Sequence, residues 1–147
     1  MKDGPDISRI AALIGDPARS NMLLSLMDGR ALTASELAEA GGITKQTASS
    51  HLGKLMDGGL LAREVQGRHH YYRLQDGDVA HAIEALLHVA ERGPGKRTRT
   101  GPADPELRKA RICYDHLAGE LGVRLFDTMK RGGGLNERGG QFALTES

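Results

Sequence analysis

Several residue types are scarce in this chain, and each scarcity narrows what the protein can be. Its 147 residues include one cysteine, Cys113, no tryptophan, and only 3% aromatic residues. One cysteine cannot form a disulfide within the chain, which fits a reducing compartment. No apolar run approaches the roughly 20 residues of a membrane helix, and the start MKDGPDISRI lacks an apolar signal segment. We therefore expect a cytoplasmic protein without a membrane anchor, whose core is aliphatic.

The motifs that carry enzyme chemistry are also missing. The chain has no Ser-His-Asp setting, no phosphate-binding loop and no His-Glu-x-x-His pair. The glycine cluster at 132–134 does not follow a predicted strand, so it is interpreted as a loop and not as a phosphate cradle. We expect no catalytic residues, no bound cofactor and no resident metal.

Positive charge is concentrated in two places, although the formal net charge is only +1. One is the stretch from Arg63 to Arg73, which carries Arg68, His69 and His70 at its centre. The other is the run ERGPGKRTRTG at 91–101. Local basic density of this kind suits a polyanion better than the overall charge does.

Hydrophobic spacing predicts a helix-rich first half. The Asp16-Pro17 pair is a helix start, and Thr33-Ala-Ser-Glu36 is a capping box that opens a short helix. Gly41-Gly42 ends that helix, and Thr44 is a good N-cap for the next one. The new helix has an apolar stripe, formed by Ala48, Leu52, Leu55 and Met56.

After Gly58-Gly59 the pattern changes from helical spacing to near-alternation. LLAREVQGRHHYYRL predicts a β-hairpin with Gly67 near its tip, followed by a helix capped by Asp76. A short helix, a glycine turn, a polar-faced helix and a hairpin form the order of a winged helix-turn-helix. The predicted fold class is mainly α with a small β-hairpin wing, plus a C-terminal helical extension.

Four segments are predicted along the chain. The extension is inferred from apolar residues at steps of three and four between Leu107 and Leu125, weakened by Gly119 and Gly122. The segments are a DNA-binding and dimerisation domain at 1–92, a basic linker at 93–103, an amphipathic helical extension at 104–131, and a mobile tail or truncated second unit at 132–147.

The polar face of the helix after Thr44 suits the edges of DNA bases. Thr47, Ser49 and Ser50 are short and can donate or accept, while Gln46 can pair with adenine in a bidentate manner. Cationic side chains suit phosphates, and a basic wing can lie along the backbone or in the minor groove. The predicted contacts are Thr44, Lys45, Gln46, Thr47, Ser49, Ser50, His51 and Lys54 of the helix, and Arg68, His69 and His70 of the wing.

The same polar face has a simpler alternative, because polar residues on a helix are usually just solvated. A winged helix can also serve as a protein-interaction module without sequence-specific DNA binding. A protein-contact helix usually carries aromatic or aliphatic anchors, which this face lacks. The adjacency of the polar helix and the basic hairpin favours DNA.

The segment TASELAEAGGITKQTASSHLGKLMDGGLLAREVQGRHHYYRL resembles the ArsR-type winged helix-turn-helix repressors. The resemblance spans roughly Ile7 to Arg92 and includes the Asp-Pro-x-Arg start at 16–19. It is carried by Thr44, Thr47, Ser49, His51-Leu52, Leu55, Gly59-Leu60, Gly67-Arg68 and Tyr72-Arg73-Leu74.

That resemblance implies a homodimeric repressor that binds double-stranded DNA at a palindromic operator and is released by an inducer. Twofold symmetry asks for half-sites about one helical turn apart. The dimer would use the first helix and the helix after the wing. The apolar residues available there are Ile10, Leu13 and Ile14 on the first helix and Ile83, Leu86 and Leu87 on the second.

Members of that family include metal sensors with a site on the helix after the wing. This helix carries Asp78, His81, His88 and Glu91, but the first pair departs from the family's spacing. His81 and His88 are seven residues apart, about 10.5 Å along a helix, so one chain cannot bring them to one ion. Solvent-facing histidines are the default interpretation.

The run ARICYDHLAGELGV resembles an extension found in a subset of ArsR-type regulators. On the predicted helix, Cys113 and His116 would be i, i+3 neighbours, which favours a thiolate that could be oxidised or bind a soft metal. The alternative is that Cys113 packs as a small apolar residue beside Ala110 and Leu117. Cys113 and His116 are therefore candidate sensors for an inducer that is a small molecule, a metal or an oxidant.

Overall fold

The computed structural model describes residues 4–94, 106, 109–113 and 116–145. The chain divides into two compact units, Met1–Lys96 and Arg97–Ser147. None of the helices in these described stretches is long and apolar enough to cross a membrane.

The first unit has the order of elements that the spacing predicted, with one additional short strand. Its three strands form an antiparallel sheet in the order β1-β3-β2. The elements are α1 (Ile7–Ile14), α2 (Pro17–Ser25), β1 (Leu32–Thr33), α3 (Ala34–Gly41), α4 (Lys45–Asp57), β2 (Leu61–Gln66), β3 (His69–Leu74) and α5 (Gly77–Glu91). This is a winged helix-turn-helix, in which α3 and α4 form the helix pair and the β2–β3 hairpin is the wing.

Side-chain caps fix where α2, α3 and α4 begin. The Asp16 carboxylate accepts from the backbone N–H of Arg19 at 2.9 Å, and Pro17 occupies the first turn. Thr33 and Glu36 form the predicted capping box in both directions. The backbone N–H of Thr33 holds the pKa of Glu36 below its ordinary value. Thr44 caps α4 by accepting from the N–H of Thr47 at 3.2 Å.

An aliphatic core fixes the orientation of α4. The inner face of this helix, Ala48, Leu52 and Leu55, is no more than 1% exposed. Burying a leucine of this kind contributes about 1.5–3 kcal/mol relative to leaving it exposed. The other buried residues come from α2 and the turn after it, from α3, from the strands and the residue before β2, and from α5: Met22, Leu23, Leu26, Met27, Leu37, Ala38, Leu60, Leu61, Tyr72, Leu74, Ala80 and Ile83.

A glycine pair ends α4 and turns the chain into the wing. The N–H of Gly59 bonds to the carbonyl of Met56, and the N–H of Leu60 bonds to that of Leu55. Gly59 has φ of 75°, a left-handed conformation that side chains with a Cβ adopt at a cost. The glycine at this position therefore sets the angle at which the wing leaves α4.

The second unit corrects the predicted helix over 104–131. Glu106 and Lys109 are helical as predicted, but the described backbone then forms β4 (Arg111–Cys113) and β5 (His116–Ala118), and helix α6 covers Glu120–Arg131. Gly119 precedes α6 with φ of 91° and ψ of −178°, which no helical residue adopts. Isoleucine, cysteine and histidine are also weak helix formers. Leu107 and Tyr114, which supported the predicted helix, lie outside the described residues.

Of the two alternatives for 132–147, a mobile tail or a truncated second unit with a strand, the mobile tail is corrected. Residues Leu135–Arg138 (β6) and Gln141–Leu144 (β7) form an antiparallel hairpin, with Leu135 opposite Leu144. The ring of Phe142 packs edge-on against Phe126 of α6, with centroids 4.9 Å apart. The hydrophobic contact between helix and hairpin orders a segment whose glycine content predicted a loop.

The connection from α6 to its hairpin repeats the connection from α4 to the wing. The N–H groups of Gly132, Gly133 and Gly134 bond four, three and five residues back, as those of Gly58, Gly59 and Leu60 do. Gly133 has φ of 74°, matching Gly59. The residue after each hairpin bonds back to the residue before it, Gln75 to Leu60 and Thr145 to Gly134.

Two glycines near the wing should respond to alanine with opposite signs. Gly53 lies inside α4, and a Cβ there would meet nothing within 4 Å. Gly53→Ala should therefore stabilise the fold by about 0.5–1 kcal/mol, the difference in helix propensity. Gly59→Ala should destabilise it by about 1–2 kcal/mol because of the left-handed backbone. Urea unfolding of both variants tests this, and shifts of equal sign would contradict the assigned conformations.

Candidate nucleic-acid interface

The outer face of α4 is the polar surface that the sequence predicted. Because Ala48, Leu52 and Leu55 point into the core, Gln46 and Ser50 lie on the opposite side, one turn apart. In the part of the chain that the structure describes, the side chains of Gln46, Ser49 and Ser50 have no hydrogen-bond partner. The exposed residues of this face are Lys45, Gln46, Thr47, Ser49, Ser50 and Lys54.

Thr44 and Thr47 are placed differently from the serines. The Thr44 hydroxyl accepts from the Thr47 N–H and lies 2.9 Å from the Thr47 hydroxyl. Both residues are exposed at the start of α4. The hydroxyl of Thr44 is therefore committed to capping the helix, and its predicted role in DNA contact is secondary to that cap.

The turn at the tip of the wing is basic. Gln66 pairs with His69, which leaves Gly67 and Arg68 as the two-residue turn, and Arg68, His69 and His70 are all exposed. The acid of the wing, Glu64, is bound by Arg73 with an Nε–Oε1 distance of 2.5 Å. An exposed pair of this kind adds little stability. The pair does neutralise the negative charge of Glu64, so the tip of the wing, with Arg68, has a net positive charge.

His51 departs from its predicted role as a phosphate contact. Its side chain is only 14% exposed and faces α2 instead of the solvent. The ring Nδ1 lies 3.1 Å from Nη1 of Arg19, and Nε2 lies 3.9 Å from Oδ1 of Asp16. His51 therefore connects α4 to the start of α2.

Sequence reasoning gave no role to Arg19, which is the centre of this cluster. Besides His51, its guanidinium donates to the carbonyls of Leu13 at 2.6 Å and Ala12 at 3.0 Å. The Asp-Pro-x-Arg start and the His-Leu pair were both present in the quoted motifs. The contact could not be predicted from the sequence because Arg19 and His51 are 32 residues apart.

The predicted dimer residues divide into two groups. Ile10, Leu13, Ile14 and Leu87 are half-buried, and Leu86 is 48% exposed. Ile83 is 4% exposed because it packs in the core of its own unit, so it is corrected from interface to core. Sequence analysis missed Ile7 on α1 and Val89 on α5, which are 79% and 56% exposed. An apolar surface is therefore present on both helices, with Val89 in place of Ile83.

The candidate sensor residues lie on strands and not on a helix. Cys113 on β4 is paired in register with His116 on β5. On α5, His88 Nδ1 is 3.8 Å from Glu91. Among the described residues, no group of three or more histidines, cysteines and acids is arranged to hold a metal ion.

The pH dependence of stability should carry a contribution from Asp16. The backbone N–H of Arg19 holds the pKa of Asp16 below its ordinary 3.8, and the charge of Arg19 acts in the same direction. Because the folded value is the lower one, this stabilisation is present above the unfolded pKa. It is lost as pH falls through the folded pKa.

Asp16→Asn is the matched test, since asparagine caps helices as well as aspartate but carries no charge. Urea unfolding between pH 6 and pH 2.5 should show a shallower acid loss of stability in the variant than in the wild type. Parallel curves would contradict the role of the ionised carboxylate.

Comparison with known proteins identifies the class of molecule that has this fold. Residues 16–70 match the model of the MarR family. The chain is 45% identical over 141 residues to YdfF, an uncharacterized HTH-type transcriptional regulator of Bacillus subtilis. That alignment covers 96% of this chain and 62% of YdfF, so this chain spans less than two thirds of that relative.

A second relative is matched over a larger share of its own length. The chain is 32% identical over 83 residues to the HTH-type transcriptional regulator CmtR of Mycobacterium tuberculosis, covering 56% of this chain and 70% of CmtR.

Solved structures have the same architecture. The homodimeric winged helix-turn-helix DNA-binding domain of Mb0332 from Mycobacterium bovis, a possible ArsR-family regulator, superposes with a TM-score of 0.53 and 25% identity. It covers 66% of this chain and 100% of that domain. The repressor BigR from Xylella fastidiosa shares the fold at a TM-score of 0.51 and 23% identity, over 56% and 84% of the two chains. Because it has this fold and is 32% identical to CmtR over 70% of that protein, the chain belongs to the family of winged helix-turn-helix transcriptional regulators.

Proposed function

We propose that this protein is an ArsR-type homodimeric repressor that acts in the cytoplasm, where α4 reads the major groove of a palindromic operator. The observation that carries the proposal is the outer face of α4. Gln46, Ser49 and Ser50 are exposed there without protein partners, while the inner face is locked in the core. A rigid helix with unoccupied donors and acceptors is the arrangement that reading base edges requires.

The short side chains determine how close the helix comes to the bases. Serine hydroxyls extend little beyond the backbone, so α4 can approach the floor of the groove. Gln46, at the N-terminal end of α4, reaches further and can pair with N6 and N7 of adenine. Lys45 and Lys54, also exposed, are available to the phosphates on either side.

The wing supplies the contact that holds this orientation. Arg68 at the turn and the neighbouring His69 and His70 are exposed. Because Arg73 already matches the charge of Glu64, the tip attracts the backbone or a narrow minor groove without an opposing acid. The contribution of Arg68 should be largely independent of sequence.

Dimerisation is supported by the apolar side chains left on α1 and α5. Ile7, Leu86 and Val89 are each about half exposed or more, and on α1 and α5 they leave apolar surface that a partner subunit would cover. The Mb0332 domain, which has this fold, is homodimeric. A twofold dimer would present two copies of α4 to half-sites about 34–36 Å apart.

A protein-interaction module remains the rival function. The outer face of α4 has no aromatic or large aliphatic anchor, which weakens that alternative. Salt dependence separates the two, because DNA binding releases counterions and weakens steeply as salt rises.

The repressor would release its operator when an inducer binds, and Cys113 with His116 is the candidate place for an oxidant or soft metal. The two residues are opposite each other in the β4–β5 pair, so they are neighbours here too, although the predicted helix that would have made them neighbours is absent from this segment. Transcription from the protein's own promoter, with and without oxidants or metals, tests both the direction of regulation and the inducer.

Base-reading and phosphate-binding residues should behave differently on substitution. Gln46→Ala and Ser50→Ala should each weaken operator binding by about 1–3 kcal/mol and relax sequence preference at the base that is read. Arg68→Ala should weaken operator and random DNA together and reduce the salt slope. Fluorescence anisotropy against the protein's own upstream DNA measures both effects, and identical profiles for the two types would contradict the docking.

The dimer proposal has a matched pair of leucine variants. Leu86 on α5 and Leu24 on α2 are 48% and 39% exposed, but only Leu86 lies on the proposed surface. Leu86→Arg should give monomers in sedimentation velocity at concentrations where the wild type is dimeric, and should lose operator affinity. Leu24→Arg should remain dimeric and bind. A dimeric Leu86→Arg would place the interface elsewhere.

A further inference from the structure

Arg19 joins three parts of the first unit. Its Nε and Nη2 donate to the carbonyls of Leu13 and Ala12, in the last turn of α1, at 2.6 and 3.0 Å. Its Nη1 lies 3.1 Å from Nδ1 of His51, near the middle of α4. One side chain on α2 therefore bridges the end of α1 to the recognition helix.

The chemistry of the pair fixes the state of His51. A guanidinium donates hydrogen bonds and accepts none, so Nδ1 of the ring must be the acceptor. The ring is then neutral with its proton on Nε2, which faces the Asp16 carboxylate at 3.9 Å. Asp16 also accepts from the N–H of Arg19, so donor and acceptor directions agree throughout the cluster.

Besides this link through Arg19, α1 contacts the C-terminal end of α4 directly. Gly58 lies so close to Leu13 that a Cβ there would come within 2.2 Å of a Leu13 methyl group. The Arg9 guanidinium donates to the carbonyl of Asp57 at 3.5 Å. The C-terminal end of α4 is thus seated directly on α1, and its middle is linked to α1 through Arg19 of α2. Helix α1 also carries part of the proposed dimer surface.

We propose that Arg19, acting through Nδ1 of His51, is a positioning residue that couples α1 to the angle at which α4 meets DNA. The proposal rests on the proposed function and adds its regulatory link. A change in the dimer that moves α1 carries the carbonyls of Ala12 and Leu13, the Arg19 guanidinium and then His51. Discrimination between operator and other DNA depends on this hydrogen bond, although none of its atoms needs to touch a base.

Three substitutions of His51 separate this role from simple packing. Asparagine places an amide oxygen near the position of Nδ1, and glutamine places one near the position of Nε2. Leucine fills the space with no acceptor. Asparagine is also no better a helix former than histidine, whereas glutamine is better, so stability alone predicts the opposite order.

The measurement is the ratio of affinities for the protein's own upstream DNA and for random duplex of equal length. Sedimentation and circular dichroism should confirm that each variant is folded and in the wild-type oligomeric state. His51→Asn should keep the ratio within about threefold of wild type. His51→Gln and His51→Leu should lower it by about tenfold or more, as expected for loss of a hydrogen bond to a charged group. If His51→Leu fails to fold, the comparison of asparagine with glutamine decides.

Each remaining outcome has a definite meaning. If the ratio survives in all of the variants, or if asparagine loses as much as leucine, the positioning role is overturned while the proposed function stands. If the wild-type protein shows no preference for its own upstream DNA, the proposed function itself fails and the positioning role falls with it.

Discussion

Burial of one side of α4 is the constraint on which the rest of the site depends. Ala48, Leu52 and Leu55 are sealed in the core, so the opposite face can point only outward. This packing leaves Gln46 and Ser50 exposed. It also sets the direction of the wing, because the chain leaves α4 through Gly59 at a fixed angle. Hydrophobic burial is not directional, so by itself it does not fix how α4 is placed against α2. The hydrogen bond between Arg19 and His51 restricts that placement. In the proposed function, DNA recognition thus follows from the way α4 packs into a small aliphatic core.

The second unit shows the same local device in a different setting. Helix α6 and its hairpin repeat the backbone hydrogen bonds of α4 and the wing, including the left-handed glycine. Phe126 and Phe142 replace the aliphatic contacts between helix and hairpin. Yet Val123, Leu125 and Leu144 are each more than half exposed, so this copy of the connection is not enclosed as α4 is. The alignment with YdfF extends over 96% of the chain, so this unit is part of what the two proteins share.

Most of the first unit could be predicted from local signals. Caps at Asp16, Thr33 and Thr44 and the change of period at Gly59 fixed the elements because each signal acts within a few residues. The errors came where distant or competing effects decided the outcome. His51 looked like a phosphate contact because its partner, Arg19, is 32 residues away. Ile83 looked like interface because helical spacing identifies an apolar stripe but not whether it meets the core or a partner. In the second unit, apolar steps of three and four predicted one kinked helix or two, but two short strands lie before Gly119 and the only full helix described there begins after it.

Titration of the isotopically labelled protein with a duplex from its own upstream region tests whether α4 and the wing together form the DNA-binding surface. Backbone amide shifts observed by NMR would report which residues meet the DNA. We expect the largest changes along α4 between Thr44 and Lys54 and at the wing turn from Gly67 to His70, and we expect the binding to weaken as salt is added. Changes confined to α1, α5 or the second unit, or none at all, would contradict it.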